Sequence, residues 1–248
     1  DRLSQNPASQ VVGEVDCIWT RAGTFERTMA DSIRRSDVGV ASGLLNVAQF
    51  FDGQDRVGGV HTKRSKETVI LIQSMVVSGL AFLPLDADYS FEVVAFRLSD
   101  SQAKVVFVDC EKSNFVAGVV LGSLGVRREK LSDAARTGDD LAYLFYTSGS
   151  TGAPKGVKIL ERNVPALMSW MHLSEHQVSV ADTMLMQSSI SFDLFVMDIV
   201  WIVSSSGCVV VVPHRKEKDS DCMEQTMRHN LISMLFFVPS HFFMLMKS

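Results

Sequence analysis

Short apolar runs alternate with longer amphipathic ones from about Val57 to the end of the chain. The short runs predict strands at Val57–Thr62, Ala81–Leu85, Lys104–Val108, Leu141–Tyr146, Gly156–Leu160, Thr183–Gln187, Gly207–Val212 and Ser233–Val238. Apolar positions three and four apart predict helices between them at Lys66–Ser78, Phe91–Ser99, Arg162–Met171, Leu194–Ser204 and Cys222–His229. Such alternation implies an α/β fold of largely parallel sheets covered by helices. Ligands bind beyond the carboxyl ends of strands in sheets of this kind. Residues 1–56 are less regular. Phe25–Phe51 fits one or two helices, with Leu44, Leu45, Val47 and Ala48 on an apolar side. The polar stretch Ser123–Asp140 reads as a connection, and 57–248 as the body of a domain.

One interruption of this pattern carries chemistry. Tyr146-Thr147-Ser148-Gly149-Ser150-Thr151-Gly152-Ala153-Pro154-Lys155-Gly156 lies between two strand-like runs. Glycines at this density disfavour the interior of a helix or strand. What they form is a loop rich in backbone N–H groups and hydroxyls, closed by one cation, which suits a polyphosphate. The Walker pattern requires a second glycine where Pro154 stands, and a hydroxyl residue where Gly156 follows Lys155, so it fails. A flexible Gly/Ser linker is the plain alternative, and the tight bracketing by strands argues against it.

The segment from Tyr146 to Val157 resembles the phosphate loop of the adenylate-forming superfamily, which includes amino-acid adenylation domains, acyl-CoA synthetases and luciferases. Two further blocks are similar to the peptide-synthetase branch. The first is Ser78-Gly79-Leu80-Ala81-Phe82-Leu83-Pro84-Leu85-Asp86-Ala87-Asp88-Tyr89-Ser90 with Phe96-Arg97-Leu98-Ser99-Asp100. The second is Ser191-Phe192-Asp193-Leu194-Phe195-Val196-Met197, followed by Val238-Pro239-Ser240. The resemblance covers about Val57 to Ser248. It implies that Thr147, Ser148, Gly149, Ser150, Thr151, Gly152 and Gly156 cradle the phosphates of ATP. Lys155 then neutralises their charge, with Lys155 and Thr147 acting in catalysis. It further implies that Asp193 holds the α-ammonium of an amino acid, while Leu194 and Met197 line its side-chain pocket. Phe195 departs from the pattern, which has a small hydroxyl residue there, so the helix is turned or the pocket crowded. From position alone Asp193 is equally a helix N-cap, and Leu194 and Met197 are equally core residues. An unpaired carboxylate between Phe192 and Leu194 is expected to be costly if buried.

Composition narrows the classes. The chain has 248 residues, 46% hydrophobic and 21% charged, with a net charge of −4, so a basic nucleic-acid surface is not expected. The apolar stretches Ile199–Pro213 and Leu231–Met246 are broken by Ser204-Ser205-Ser206-Gly207 and by Pro239-Ser240-His241. Neither reaches the roughly 18 apolar residues of a membrane span. Cys17, Cys110, Cys208 and Cys222 form no Cys-x-x-Cys pair, which fits a reducing cytoplasm, with Cys208 a buried thiol. His172-Leu173-Ser174-Glu175-His176 matches a zinc-protease pattern, but a polar helix end explains it better, and no metal ligand is assigned. The chain opens on Asp1 with no initiator Met or signal-peptide core, so a piece of a longer protein is expected.

The resemblance implies Mg-ATP-dependent activation of an amino-acid carboxylate to an aminoacyl-adenylate. The acyl group then passes to a phosphopantetheine thiol on a carrier domain. Activation of an aryl or fatty acid, or a non-catalytic nucleotide- or partner-binding module, are the alternatives.

Overall fold

The computed structural model describes residues 16–19, 57–77, 79–103, 105–109, 116–120, 137–148, 154–173, 181–205 and 208–246. Its strands are β1 (Asp16–Trp19), β2 (Val57–Thr62), β3 (Ala81–Asp86), β4 (Val105–Asp109), β5 (Val116–Val120), β6 (Leu141–Thr147), β7 (Lys155–Leu160), β8 (Thr183–Met186), β9 (Cys208–Val211) and β10 (Met234–Leu235). Its helices are α1 (Lys66–Val77), α2 (Phe91–Asp100), α3 (Val164–Leu173), α4 (Leu194–Ser205), α5 (Ser220–His229) and α6 (Pro239–Leu245).

Two sheets form. The first has the order β5-β4-β2-β3-β6-β7, the second β1-β9-β8-β10. Inside each the strands are parallel, as the alternation of elements predicts, and the antiparallel pairs lie at edges: β5 on β4, β7 on β6 and β1 on β9.

Runs with no polar alternation become central strands because both of their faces are covered. In β3, Phe82 faces the cluster between the sheets, while Ala81, Leu83 and Leu85 face an outer one beneath Val94 and Leu98 of α2. The inner cluster joins Val69, Leu71, Ile72 and Met75 of α1 to Phe195, Val196 and Ile199 of α4. It also takes Met184, Met186, Val209 and Val211 from the second sheet. A third cluster packs Leu185, Cys208, Val210 and Val212 against Met223 and Met227 of α5. The layers therefore run α2, first sheet, α1 with α4, second sheet, α5. Cys208 is buried, as expected.

β2 is wedged between α1 and α2, and two glycines make the room. A Cβ on Gly58 would lie 2.8 Å from Met75 Cε, and one on Gly59 2.6 Å from Leu98 Cδ2. Gly59→Val is expected to lower stability by about 1–3 kcal/mol through overpacking. The reading is a lower urea midpoint at unchanged slope.

Several expectations change. β10 is two residues long, not Ser233–Val238, because Pro239 starts α6 at the first helical position that proline favours. β5 and β1 were not foreseen, and the first falls inside a stretch with an interior glycine. The strand expected from Gly156 begins at Lys155. The helices expected in Phe25–Phe51 lie outside the described residues, as do Glu175 and His176. Among the described residues no helix is long and apolar enough to cross a membrane.

Candidate functional site

The glycine-rich loop is the tip of a β-hairpin. β6 and β7 pair antiparallel with Tyr146 opposite Gly156 and Thr147 opposite Lys155. Thr147, Ser148, Lys155 and Gly156 are exposed, so a hydroxyl pair and an ammonium flank the mouth of the loop. Gly149, Ser150, Thr151 and Gly152 fall outside the described residues. The root of the hairpin is clamped. A Cβ at Gly156 would meet Tyr146 Cζ at 3.3 Å, and the Tyr146 hydroxyl donates to Asp100 at 2.6 Å. Burial first, then that bond, holds the Tyr146 phenol well above its usual value. The Arg97 guanidinium stacks over the Tyr89 ring at 4.3 Å and lies 5.2 Å from that of Tyr146.

A cavity of about 330 Å³ opens near the carboxyl ends of β3 and β8. Tyr89, Gln187, the serines 188, 189 and 191, Phe192, Leu194, Val238 and His241 line it. Asp193 stands between two lining residues and directly before α4, with its carbonyl accepting from Val196 N–H at 3.0 Å. Among the described residues its carboxylate has no hydrogen-bond or ion-pair partner. Asp193 is exposed, so the expected cost of burial does not arise. Its charge reaches β6 nonetheless: burial first, then Asp193, raises the Tyr143 phenol. Leu194 lines the cavity, whereas Met197 is half-buried against the inner cluster and is not among the lining residues. Phe195 is fully buried in that cluster, which explains how a bulky ring fits there without crowding the cavity.

The family model for the AMP-binding enzyme matches residues 38–248. The chain belongs to the AMP-binding enzyme family. Tyrocidine synthase 3 of Brevibacillus parabrevis is 32% identical over 202 residues, which is 76% of this chain and 3% of that protein. Bacitracin synthase 3 of Bacillus licheniformis is 30% identical over 201 residues, 75% of this chain and 3% of that protein. This chain thus spans under a tenth of either relative. Among solved structures, the AMPPNP-bound form of the nonribosomal peptide synthetase FmoA3 matches with a TM-score of 0.69 at 22% identity, covering 92% of this chain and 27% of that one. The N-terminal subdomain of Klebsiella oxytoca NpsA, in complex with anthranilyl-AMSN, matches at 0.66 and 21%, covering 85% and 53%. At these identities the two structures show the fold.

Within this AMP-binding domain, sequence reasoning passed over Arg64. It is 4% exposed, and all five of its donors are used. Nε donates to the Val212 carbonyl at 2.6 Å, and Nη1 to those of Gln187 and Ser188 at 2.5 and 3.0 Å. Nη2 donates to Pro213 O at 3.1 Å and to Glu217 at 2.8 Å. A residue that follows a strand of the first sheet thus grips the carboxyl ends of β8 and β9 in the second. A lone Arg after a strand gives no signal of this in the sequence. Asp198 of α4, 1% exposed, has Oδ2 unpartnered. Burial raises its carboxyl well above the usual range, against the pull of Arg64.

The AMP-binding domain also brings Asp86, Asp88 and His214 close enough for a cation. Their oxygens are already engaged. Ser189 Oγ donates to Asp86, Arg215 donates to Asp88 at 2.6 Å, and His214 Nε2 lies 3.4 Å from Asp88. The hydrogen bond from Arg215 leads in holding the Asp88 carboxyl below its ordinary value. This is an ion-pair network that ties the β3–α2 turn to the loop after β9, and it does not suit a resident metal.

Proposed function

We propose that this chain is part of an enzyme that activates an amino-acid carboxylate with ATP and passes the product to a carrier thiol. A carboxylate oxygen of the substrate attacks the α-phosphorus, an aminoacyl-adenylate forms, and pyrophosphate leaves. The thiol of a phosphopantetheine group on a carrier domain then takes the acyl group and AMP departs. No covalent enzyme nucleophile is needed. Thr147 and Ser148, with the glycine-rich loop to Gly156, cradle the phosphates, and Lys155 offsets their charge. The Thr147, Ser148 and Lys155 side chains that flank the loop suit anionic phosphate oxygens, and Mg²⁺ bound with ATP would add charge neutralisation there.

The observation that carries the amino-acid reading is Asp193. It is a carboxylate without a partner among the described residues, set between two residues of the cavity wall. An ammonium is its natural counter-ion, and a bound substrate would strip the water that now solvates it. A simple aryl or fatty acid would bring a second anion instead.

The test is Asp193→Asn in the full-length protein. Hydrogen bonds to charged groups are worth roughly 1.5–3 kcal/mol, so amino-acid binding is expected to weaken by about one to two orders of magnitude. The des-amino analogue should lose far less. Equal losses for the two ligands would reduce Asp193 to a helix cap and return the aryl-acid reading to the front.

A further inference from the structure

Gln187 and His241 belong to the cavity wall and have no part in the reading above. The Gln187 side chain is fixed at both ends. Its Nε2 donates to the Phe236 carbonyl at 2.9 Å, which turns Oε1 toward His241 Nδ1 at 3.0 Å. An amide oxygen only accepts, so Nδ1 of the neutral imidazole carries the proton and Nε2 carries the lone pair. The arrangement cannot slip easily. Gln187 is 2% exposed, and its own carbonyl is held by Arg64 at 2.5 Å.

Two of the lining serines have the same sense. Ser189 Oγ donates to Asp86 and Ser191 Oγ to the Pro84 carbonyl at 3.3 Å, so both hydroxyl protons are spent inside the protein. What these two hydroxyls have left to offer is acceptor capacity, one lone pair of Ser189 being taken by Ser191 N–H at 3.3 Å. Phe192, Leu194 and Val238 supply apolar surface, while Ser188 and Tyr89 bring hydroxyls that can donate or accept. At His241 Nε2 a ligand with a donor of its own is satisfied, and one with only acceptors is not.

We infer that His241 is a specificity residue: its Nε2 accepts a hydrogen bond from a hydroxyl or N–H group on the acid being activated. The cavity therefore selects a substrate whose side chain carries a donor in addition to the α-ammonium. This rests on the carboxylate-activating reading above, and names the substrate class within it.

The experiment is pyrophosphate exchange by the full-length protein with matched acids that differ in one donor. Suitable pairs are threonine and valine, tyrosine and phenylalanine, asparagine and leucine, and, outside amino acids, salicylate and benzoate. The donor-bearing member of at least one pair should be favoured by roughly tenfold or more in kcat/KM, since its absence leaves a desolvated acceptor unpaired. His241→Asn keeps an N–H near the Nδ1 position for Gln187 and deletes Nε2. It should bring the preference close to unity while KM for ATP stays unchanged. His241→Gln extends an amide to the Nε2 position and should recover part of the preference, which a merely structural histidine would not explain. Equal slowing of both members by His241→Asn, or a preference for the donor-free member in every pair, overturns the inference. Turnover of salicylate alone, with its preference lost in His241→Asn, would overturn the amino-acid substrate and leave the role of His241 standing. No exchange with any acid would overturn both.

Discussion

Lys155→Ala is expected to slow amino-acid-dependent pyrophosphate exchange by about a hundred- to a thousandfold, the loss typical of removing one group that stabilises transition-state charge. The structure separates this effect from folding. Lys155 is exposed at the first position of an edge strand, across the hairpin mouth from Thr147. Among the described residues its ammonium has no ion-pair or hydrogen-bond partner. Substitutions at such positions usually change stability by no more than about 0.5 kcal/mol. The two readings belong together: exchange rates at saturating ATP and amino acid, and a thermal melt of the same sample. An unchanged rate removes Lys155 from the chemistry. A lowered melting temperature alone would mean that the lysine is structural.

Arg64→Ala has the opposite profile. It leaves four buried carbonyls and the Glu217 carboxylate without their donor. Breaking a buried ion pair from one side costs about 3–5 kcal/mol. That is a large fraction of the stability of any domain, and urea denaturation should show it as a large fall in midpoint. Arg64→Lys keeps the charge but offers three donors from a single point, where five acceptors are arranged around a planar fork. It should therefore recover only part of the loss. Full recovery with Lys would show that charge, and not the fork, is what the site requires.

The fold was legible wherever an element satisfies a local rule. α1, α2 and α4 start where the spacing of apolar residues predicts, and the central strands announce themselves as unbroken apolar runs. The break between the strands that end at Thr147 and begin at Lys155 was legible because no helix or strand interior tolerates its glycines, but the antiparallel pairing of those strands was not. Edges were harder. Val116–Val120 gains its strand character from pairing with β4, and Asp16–Trp19 from pairing with β9, so neither carries a period of its own. Asp193 and Leu194 were singled out by resemblance, but the exposure of Asp193 was not foreseen, because flanking apolar residues say nothing about which way a carboxylate turns. Arg64, Gln187 and His241 left no local trace. Their roles exist only in the bonds they make across the molecule.

Those bonds also order events in time. Arg64 meets its partners 123 to 153 positions further along the chain. The Tyr146–Asp100 bond spans 46 positions and the β6–β7 ladder joins neighbouring strands. Loop-closure entropy must be met before a distant contact rewards it, which makes such contacts late in folding. The β6–β7 hairpin is thus an early, near-local product of the chain. The cavity is a late one, completed only when the second sheet has docked and the fork of Arg64 closes on it. On the proposed function, a partly folded molecule of this kind would hold its phosphate-binding loop ready before it had any means of choosing an acid.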